Sequence, residues 1–189
     1  IIAPEYETGV LDILKKKKDR RLVKYNPELL AQPINPVEIK TLVWGYLMQD
    51  WDLVNEPINA LKVVTRRQPT QEEFAAMIFG WKVVAILRSN AIALTSKDAA
   101  LGLGIGQTSR IDSTAFAILK AQKFEHDLSK AICASDGFFP YRDSIDELYR
   151  HGIKAVIQPG GSKADPEVIQ ACNELDMAMV FTGYRHFRH

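Results

Sequence analysis

The chain closes on Thr182-Gly183-Tyr184-Arg185-His186-Phe187-Arg188-His189, where bases and aromatics crowd the last residues. Guanidiniums recognise phosphates and carboxylates through paired N–H groups, and imidazoles gain or lose a proton near neutral pH. The apolar run Met177-Ala178-Met179-Val180-Phe181 feeds straight into this tail and predicts a buried strand. The tail then begins at a strand's carboxyl end, where open α/β sheets hold their ligands. It reads as an anion-binding element built into a site.

Other segments carry chemistry of their own. Gln107-Thr108-Ser109-Arg110 enters a predicted helix whose unpaired N–H groups attract anions. Arg110 there can clamp a phosphate or carboxylate, with a plain surface role as the equal alternative. Ser135-Asp136-Gly137-Phe138-Phe139-Pro140-Tyr141-Arg142-Asp143 sets three aromatics and a proline between a strand and a helix. Such a loop suits a site wall: aromatics stack a flat heterocycle, and Asp143 bonds a ring nitrogen or exocyclic amine. The alternative makes Asp143 a helix cap, with Phe138 and Phe139 in the core. In Gln158-Pro159-Gly160-Gly161-Ser162 the glycines admit either a close ligand or only a tight turn.

Three features point to less. Gly102-Leu103-Gly104-Ile105-Gly106-Gln107 lacks the glycine a dinucleotide fingerprint needs at 107, and its glycines fall inside a strand. There they permit close approach of another backbone or of a ligand. The Lys15–Lys18 run with Arg20 and Arg21 reads as a solvated helix end, where cations complement the helix dipole. His186 and His189 stand without a neighbouring acid or cysteine, a poor metal set.

The elements that position these residues follow from periodicity. Ile1–Ala3 predicts a strand, Glu5–Lys18 a helix and Arg21–Tyr25 a strand, with 26–36 a proline-bearing linker. Glu38–Met48 and Leu61–Thr65 are β-prone. Thr70-Gln71-Glu72-Glu73 is a capping box opening a helix that ends near Ser89. Ala91–Thr95 and Ala99–Ile105 pair around Ser96-Lys97-Asp98, and Ser109 caps a helix to about Phe124. A strand at Ala131–Ala134, a helix from Asp143 to His151 and a strand at Ala155–Ile157 come next. Asp165-Pro166-Glu167 starts another helix, with Asp165 as its cap, and the last strand is Met177–Phe181. The alternation predicts a three-layer α/β/α fold.

Composition bounds the function. With 189 residues and a formal net charge of +1, the chain offers no global field for nucleic acid or membrane, so an anion site must be local. No apolar stretch reaches membrane-span length and no signal peptide is visible. Cys133 and Cys172 have neither metal-ligand nor disulfide-framework spacing, which suits a reduced, cytoplasmic setting with Cys133 a small buried hydrophobe. The opening Ile1-Ile2-Ala3-Pro4, without an initiator Met, is expected of a fragment or processed product.

Val64-Thr65-Arg66-Arg67-Gln68-Pro69-Thr70, Trp81-Lys82-Val83, Ser89-Asn90-Ala91-Ile92, Gly104 through Arg110, the Ser135–Asp143 loop, Ile157–Ser162 and the Arg185–His189 terminus come in one order. Together they resemble the carboxyl-terminal part of the bifunctional AICAR transformylase/IMP cyclohydrolase family of purine biosynthesis. The resemblance implies formyl transfer from the cosubstrate 10-formyltetrahydrofolate to the 5-amino group of AICAR, giving FAICAR. By matching position, Asn90, Arg110, Phe138, Arg185 and Phe187 would contact AICAR. Ile111, Pro140, Tyr141, Asp143, Ser162 and Lys163 would line the folate side. Asn90, Asp143 and His189 would serve catalysis, and Phe187 and His189 would help close the pocket. A potassium ion near Ser89 and Asp136 is similar to the family, and zinc is not expected.

The implied fold is a cytidine-deaminase-like α/β/α subdomain without its zinc site, spanning 37–189. Residues 1–25 would be the trailing strand-helix-strand of a preceding subdomain. The family's Lys-His pair has no counterpart here, Arg88 stands where bacterial members often carry Lys, and Tyr141 replaces a usual Phe. The aminoimidazole amine is a weak nucleophile that needs a base and an oxyanion stabiliser. The resemblance therefore implies half of a composite site, completed by a homodimer partner or an amino-terminal transformylase half. The competing readings are a non-catalytic nucleotide- or folate-binding module, a Rossmann dehydrogenase disfavoured by Gln107, and a zinc deaminase lacking its Cys-x-x-Cys pair.

Overall fold

A computed structural model of the chain describes residues 1–30, 37–52 and 61–188. They form two compact units, 1–51 and 52–189. In the first, β1 (Ile2–Ala3) pairs in parallel with β2 (Val23–Lys24) around the short helix α1 (Val10–Leu14). The helix expected over Glu5–Lys18 is thus cut to its apolar centre. Gly9 at φ 87 breaks it on one side, and beyond Lys15 the like charges of the lysine run repel along any continued helix. The expected strand Arg21–Tyr25 shortens to β2, and the linker carries a turn of helix, α2 (Pro27–Leu30). The β-prone stretch is a hairpin of β3 (Val37–Leu42) and β4 (Gly45–Asp50).

The second unit is α/β. Its mixed sheet has six strands in the order β7 (Ala100–Gly104), β6 (Ile92–Thr95), β8 (Ile132–Ser135), β9 (Ala155–Gln158), β10 (Ala178–Phe181) and β5 (Lys62–Val63). The neighbours β8, β9 and β10 run parallel, while β6, β7 and β5 pair antiparallel to theirs. The carboxyl ends of the three parallel strands therefore share one edge.

Both faces of the sheet are covered, which is why its strands read as unbroken apolar runs. Helix α3 (Gln71–Val84) packs Ala76, Met77, Trp81 and Val84 on Ala93, Ala134, Ala155 and Ala178 of one face. Helices α4 (Arg110–Lys123), α5 (Asp143–Arg150) and α6 (Asp165–Glu174) pack Ile118, Leu148 and Val168 on Leu94, Cys133, Val156 and Met179 of the other. Thr70 caps α3 by accepting from the Glu73 N–H at 3.2 Å, and Glu73 returns a bond to the Thr70 N–H at 2.8 Å. Ser109 caps α4 through the Asp112 N–H at 3.1 Å.

Two caps differ from expectation. Helix α6 starts one residue early, with Ala164 at the cap. Asp165 is then inside the helix, and its Oδ2 accepts from the Gly161 N–H at 2.7 Å. Asp143 does not cap α5 either: its Oδ1 accepts from the adjacent Ser144 N–H at 2.7 Å. The strand glycines answer to packing, because a Cβ at Gly102 would strike the Ala117 carbonyl and one at Gly104 the Ser113 carbonyl of α4. Among the described residues no helix is long and apolar enough to cross a membrane.

Candidate functional site

At the carboxyl edge of β8 the sheet delivers Asp136, fully buried, into the middle of a polar cluster. Its carboxylate pairs with the guanidinium of Arg110, itself 5% exposed at the side chain. It also accepts from the Ala91 N–H at 3.0 Å and from the Ser89 hydroxyl at 2.5 Å. Arg110 Nη1 donates to the Ala91 carbonyl at 3.0 Å, and Nη2 to Asn90 Oδ1 at 3.1 Å. Asn90 Nδ2 donates in turn to the Gln107 carbonyl at 3.0 Å. The Ser89–Asn90 peptide bond is cis.

This network corrects the surface alternative for Arg110, which is buried, and gives its guanidinium a structural partner. The residue is buried because Ser109 sets the helix start against the sheet, and its charge is spent on Asp136. Two such charges leave water only when each offsets the other, so the pair works as a brace. Nearby, Phe139 is fully buried while Phe138 is only partly so. Phe139 is thus core, as the alternative had it, and Phe138 is not. Buried Gln158 holds the loop by accepting from the Phe139 N–H at 3.2 Å.

Over this brace lies a pocket of about 320 Å³ lined by Asn90, Thr108, Ser109, Arg110, Phe138, Pro140 and Phe187. The start of α4 therefore faces it, as an anion site requires. The tail forms another wall. Thr182 and Gly183 donate to the carbonyls of Gln158 and Pro159, each at 3.0 Å, and the His186 N–H donates to the Asp136 carbonyl at 2.9 Å. The Arg185 guanidinium carbon sits 5.1 Å from the centre of the Phe138 ring and 5.8 Å from that of Phe187. No ion pair engages Arg185 among the described residues, so its charge faces outward over two aromatics.

Of the residues singled out in the sequence, Asn90, Arg110, Phe138, Pro140 and Phe187 line one pocket, and Arg185 adjoins it. Tyr141, Asp143 and Lys163 are exposed and, with Ile111 and Ser162, do not line it. Ser162 Oγ accepts from the Ala164 N–H at 3.0 Å within its own turn. His189 lies outside the described residues. Thr108 was legible only as part of a helix entry. The partnership of Asp136 with Arg110 carried no local signal, nor did that of His186 with Asp52.

Burial raises both cysteine thiols, Cys133 far up and Cys172 to about 12, which keeps them protonated and unreactive. Among the described residues no three His, Cys, Asp or Glu side chains group as a metal site.

The family model described as AICARFT/IMPCHase bienzyme matches residues 1–120. A bifunctional purine biosynthesis protein PurH of Aquifex aeolicus is 47% identical over 189 residues, covering 100% of this chain and 36% of its own length. The protein of that name from Magnetococcus marinus is 45% identical over 196 residues, covering 100% of the chain and 37% of its own length. The chain thus spans little more than a third of these relatives. Among solved structures, a diaminohydroxyphosphoribosylaminopyrimidine deaminase/5-amino-6-(5-phosphoribosylamino)uracil reductase from Thermotoga maritima overlaps 55% of this chain and 33% of its own at 17% identity and a TM-score of 0.36. That overlap is too slight to bear on the fold. The match over most of the chain and the identity over all of it make this protein a member of the AICARFT/IMPCHase bienzyme family.

Proposed function

We propose that the chain is the carboxyl-terminal portion of an AICAR transformylase and holds the nucleotide half of its site. The observation that carries this is the convergence of Asn90, Ser109, Arg110, Phe138 and Phe187 on one pocket beside Arg185. A helix start and an arginine suit a phosphate, and Phe138 with Phe187 suits a flat imidazole carboxamide. In the reaction, the formyl carbon leaves N10 of 10-formyltetrahydrofolate and bonds to the 5-amino nitrogen of AICAR. The amine gives up a proton and the folate nitrogen gains one.

This chain's part is to bind and orient. Asn90 is held at both ends of its amide, so it presents a fixed dipole rather than a proton carrier. Ile111, Tyr141, Asp143, Ser162 and Lys163 would face the folate, and His189 would close the pocket. Potassium would be held by the oxygens grouped at Ser89 Oγ, Asp136 Oδ2 and the His186 carbonyl, and would supply charge that steadies the loop. The cytidine-deaminase-like arrangement without zinc belongs to the same proposal, supported by a mixed sheet covered on both faces. A second copy, or an amino-terminal transformylase half, would complete the site and supply the base.

Calorimetry with AICAR tests the reading. The chain is expected to bind it, and Arg185→Ala to weaken binding roughly tenfold or more, the worth of a charge-assisted hydrogen bond. Turnover by the chain alone is expected to be negligible. Unchanged AICAR affinity in Arg185→Ala would remove the nucleotide assignment.

A further inference from the structure

The tail alternates: Arg185 is exposed, His186 fully buried and Phe187 39% exposed. The buried imidazole stacks on Trp81 of α3, with ring centres 4.4 Å apart and planes tilted by 48°. Its Nδ1 lies 2.8 and 2.9 Å from the two carboxylate oxygens of Asp52, a residue 134 positions away in sequence. A carboxylate only accepts, so Nδ1 carries the hydrogen and the ring is fixed in one orientation.

Backbone bonds alone do not fix which tail residues face inward. The Ser89 N–H donates to the Arg188 carbonyl at 2.8 Å, and the Arg188 N–H to Ser89 Oγ at 3.0 Å. Both bonds guide the tail's path and read no side chain but serine. A slip by one residue would turn Arg185 or Phe187 to the place His186 now fills. A slip that put Arg185 there would take its guanidinium away from Phe138 and Phe187, and one that put Phe187 there would leave Asp52 without a donor.

We infer that His186, gripped by Asp52 and Trp81, is a positioning residue that locks the register of the tail and so aims Arg185 and Phe187 at the pocket. It acts through its neighbours and touches no substrate. The inference rests on the nucleotide-pocket reading for its purpose, but the lock itself is a property of the chain.

The test compares the 189-residue chain with Asp52→Ala, Asp52→Asn and His186→Leu, using amide hydrogen exchange and AICAR calorimetry. Asp52→Ala is expected to speed exchange across 184–188 about tenfold while leaving β8 and β9 unchanged, and to weaken AICAR by a similar factor. His186→Leu keeps the bulk on Trp81 but loses the donor, and should behave alike. Asp52→Asn still accepts the Nδ1–H and should restore most of both readouts. Tail exchange in Asp52→Ala equal to the parent would overturn the inference, as would an increase spread evenly through the sheet. Should the parent bind no AICAR, the nucleotide reading fails, and the exchange arm alone decides the lock.

Discussion

At the scale of single residues, the site rests on one buried charge pair. Asp136 has no exposed surface, and its partner Arg110 is 5% exposed at the side chain. Removing one member of such a pair strands the other, at a cost of about 3–5 kcal/mol. Asp136→Ala should therefore lower the unfolding free energy by about that much in a urea titration. Replacing Arg185, which is exposed and makes no ion pair among the described residues, should leave the urea midpoint nearly where it is. The same contrast shows what the sequence could tell. Arg110 was legible as a site residue because Ser109 marks a helix start one position earlier. Asp136 was visible in the odd loop and, through the family resemblance, beside a potassium ion, but not as the partner of an arginine 26 residues away. The pairing that matches the arginine's charge exists only once the chain folds.

At the scale of elements, the glycines of β7 decide how closely α4 can lie. A Cβ at Gly104 would collide with the Ser113 carbonyl, a backbone atom that cannot turn aside. Gly104→Ala should force α4 outward and cost about 1–3 kcal/mol, the usual range for overpacking, read as a fall in thermal midpoint. Because α4 carries Ser109 and Arg110, the same variant should also weaken AICAR binding. Thr70→Ala removes a helix cap that does not line the pocket and should cost about 1 kcal/mol with no effect on binding. Elements of the second unit were readable because their apolar runs, and the caps at Thr70 and Ser109, are local signals. The first unit was less so: Glu5–Lys18 has helical composition, but Gly9 falls inside it and the lysine run closes it. A periodicity argument weighs apolar spacing and misses such terminators.

At the scale of the whole molecule, stability should fall on both sides of neutrality for separate reasons. On the acid side, the Arg142 guanidinium hydrogen-bonds Asp146 on α5 and Glu174 on α6. These contacts hold the Asp146 carboxyl below its ordinary 3.8, and those from Gln170 and Arg142 hold Glu174 below 4.5. A depressed carboxylate adds stability that is fully present above the ordinary value and is lost as pH falls through the lowered one. Acid loss therefore begins below about pH 4, and Asp146→Asn should flatten that limb. On the alkaline side the sign reverses. Burial raises the thiols of Cys133 and Cys172 from an ordinary 9.0, the latter to about 12. The unfolded chain then releases protons that the folded one keeps, so stability is full below pH 9 and declines as pH rises. The slope should be about 1.4 kcal/mol per pH unit for each thiol. Urea midpoints at pH 8, 9.5 and 10.5 would show the decline, and Cys172→Ala should roughly halve its slope while lowering the neutral plateau. A slope unaltered by that substitution would move the alkaline sensitivity to other groups. A thiol reagent at pH 8 gives the independent check: both cysteines should stay silent in the folded chain and react once urea opens it.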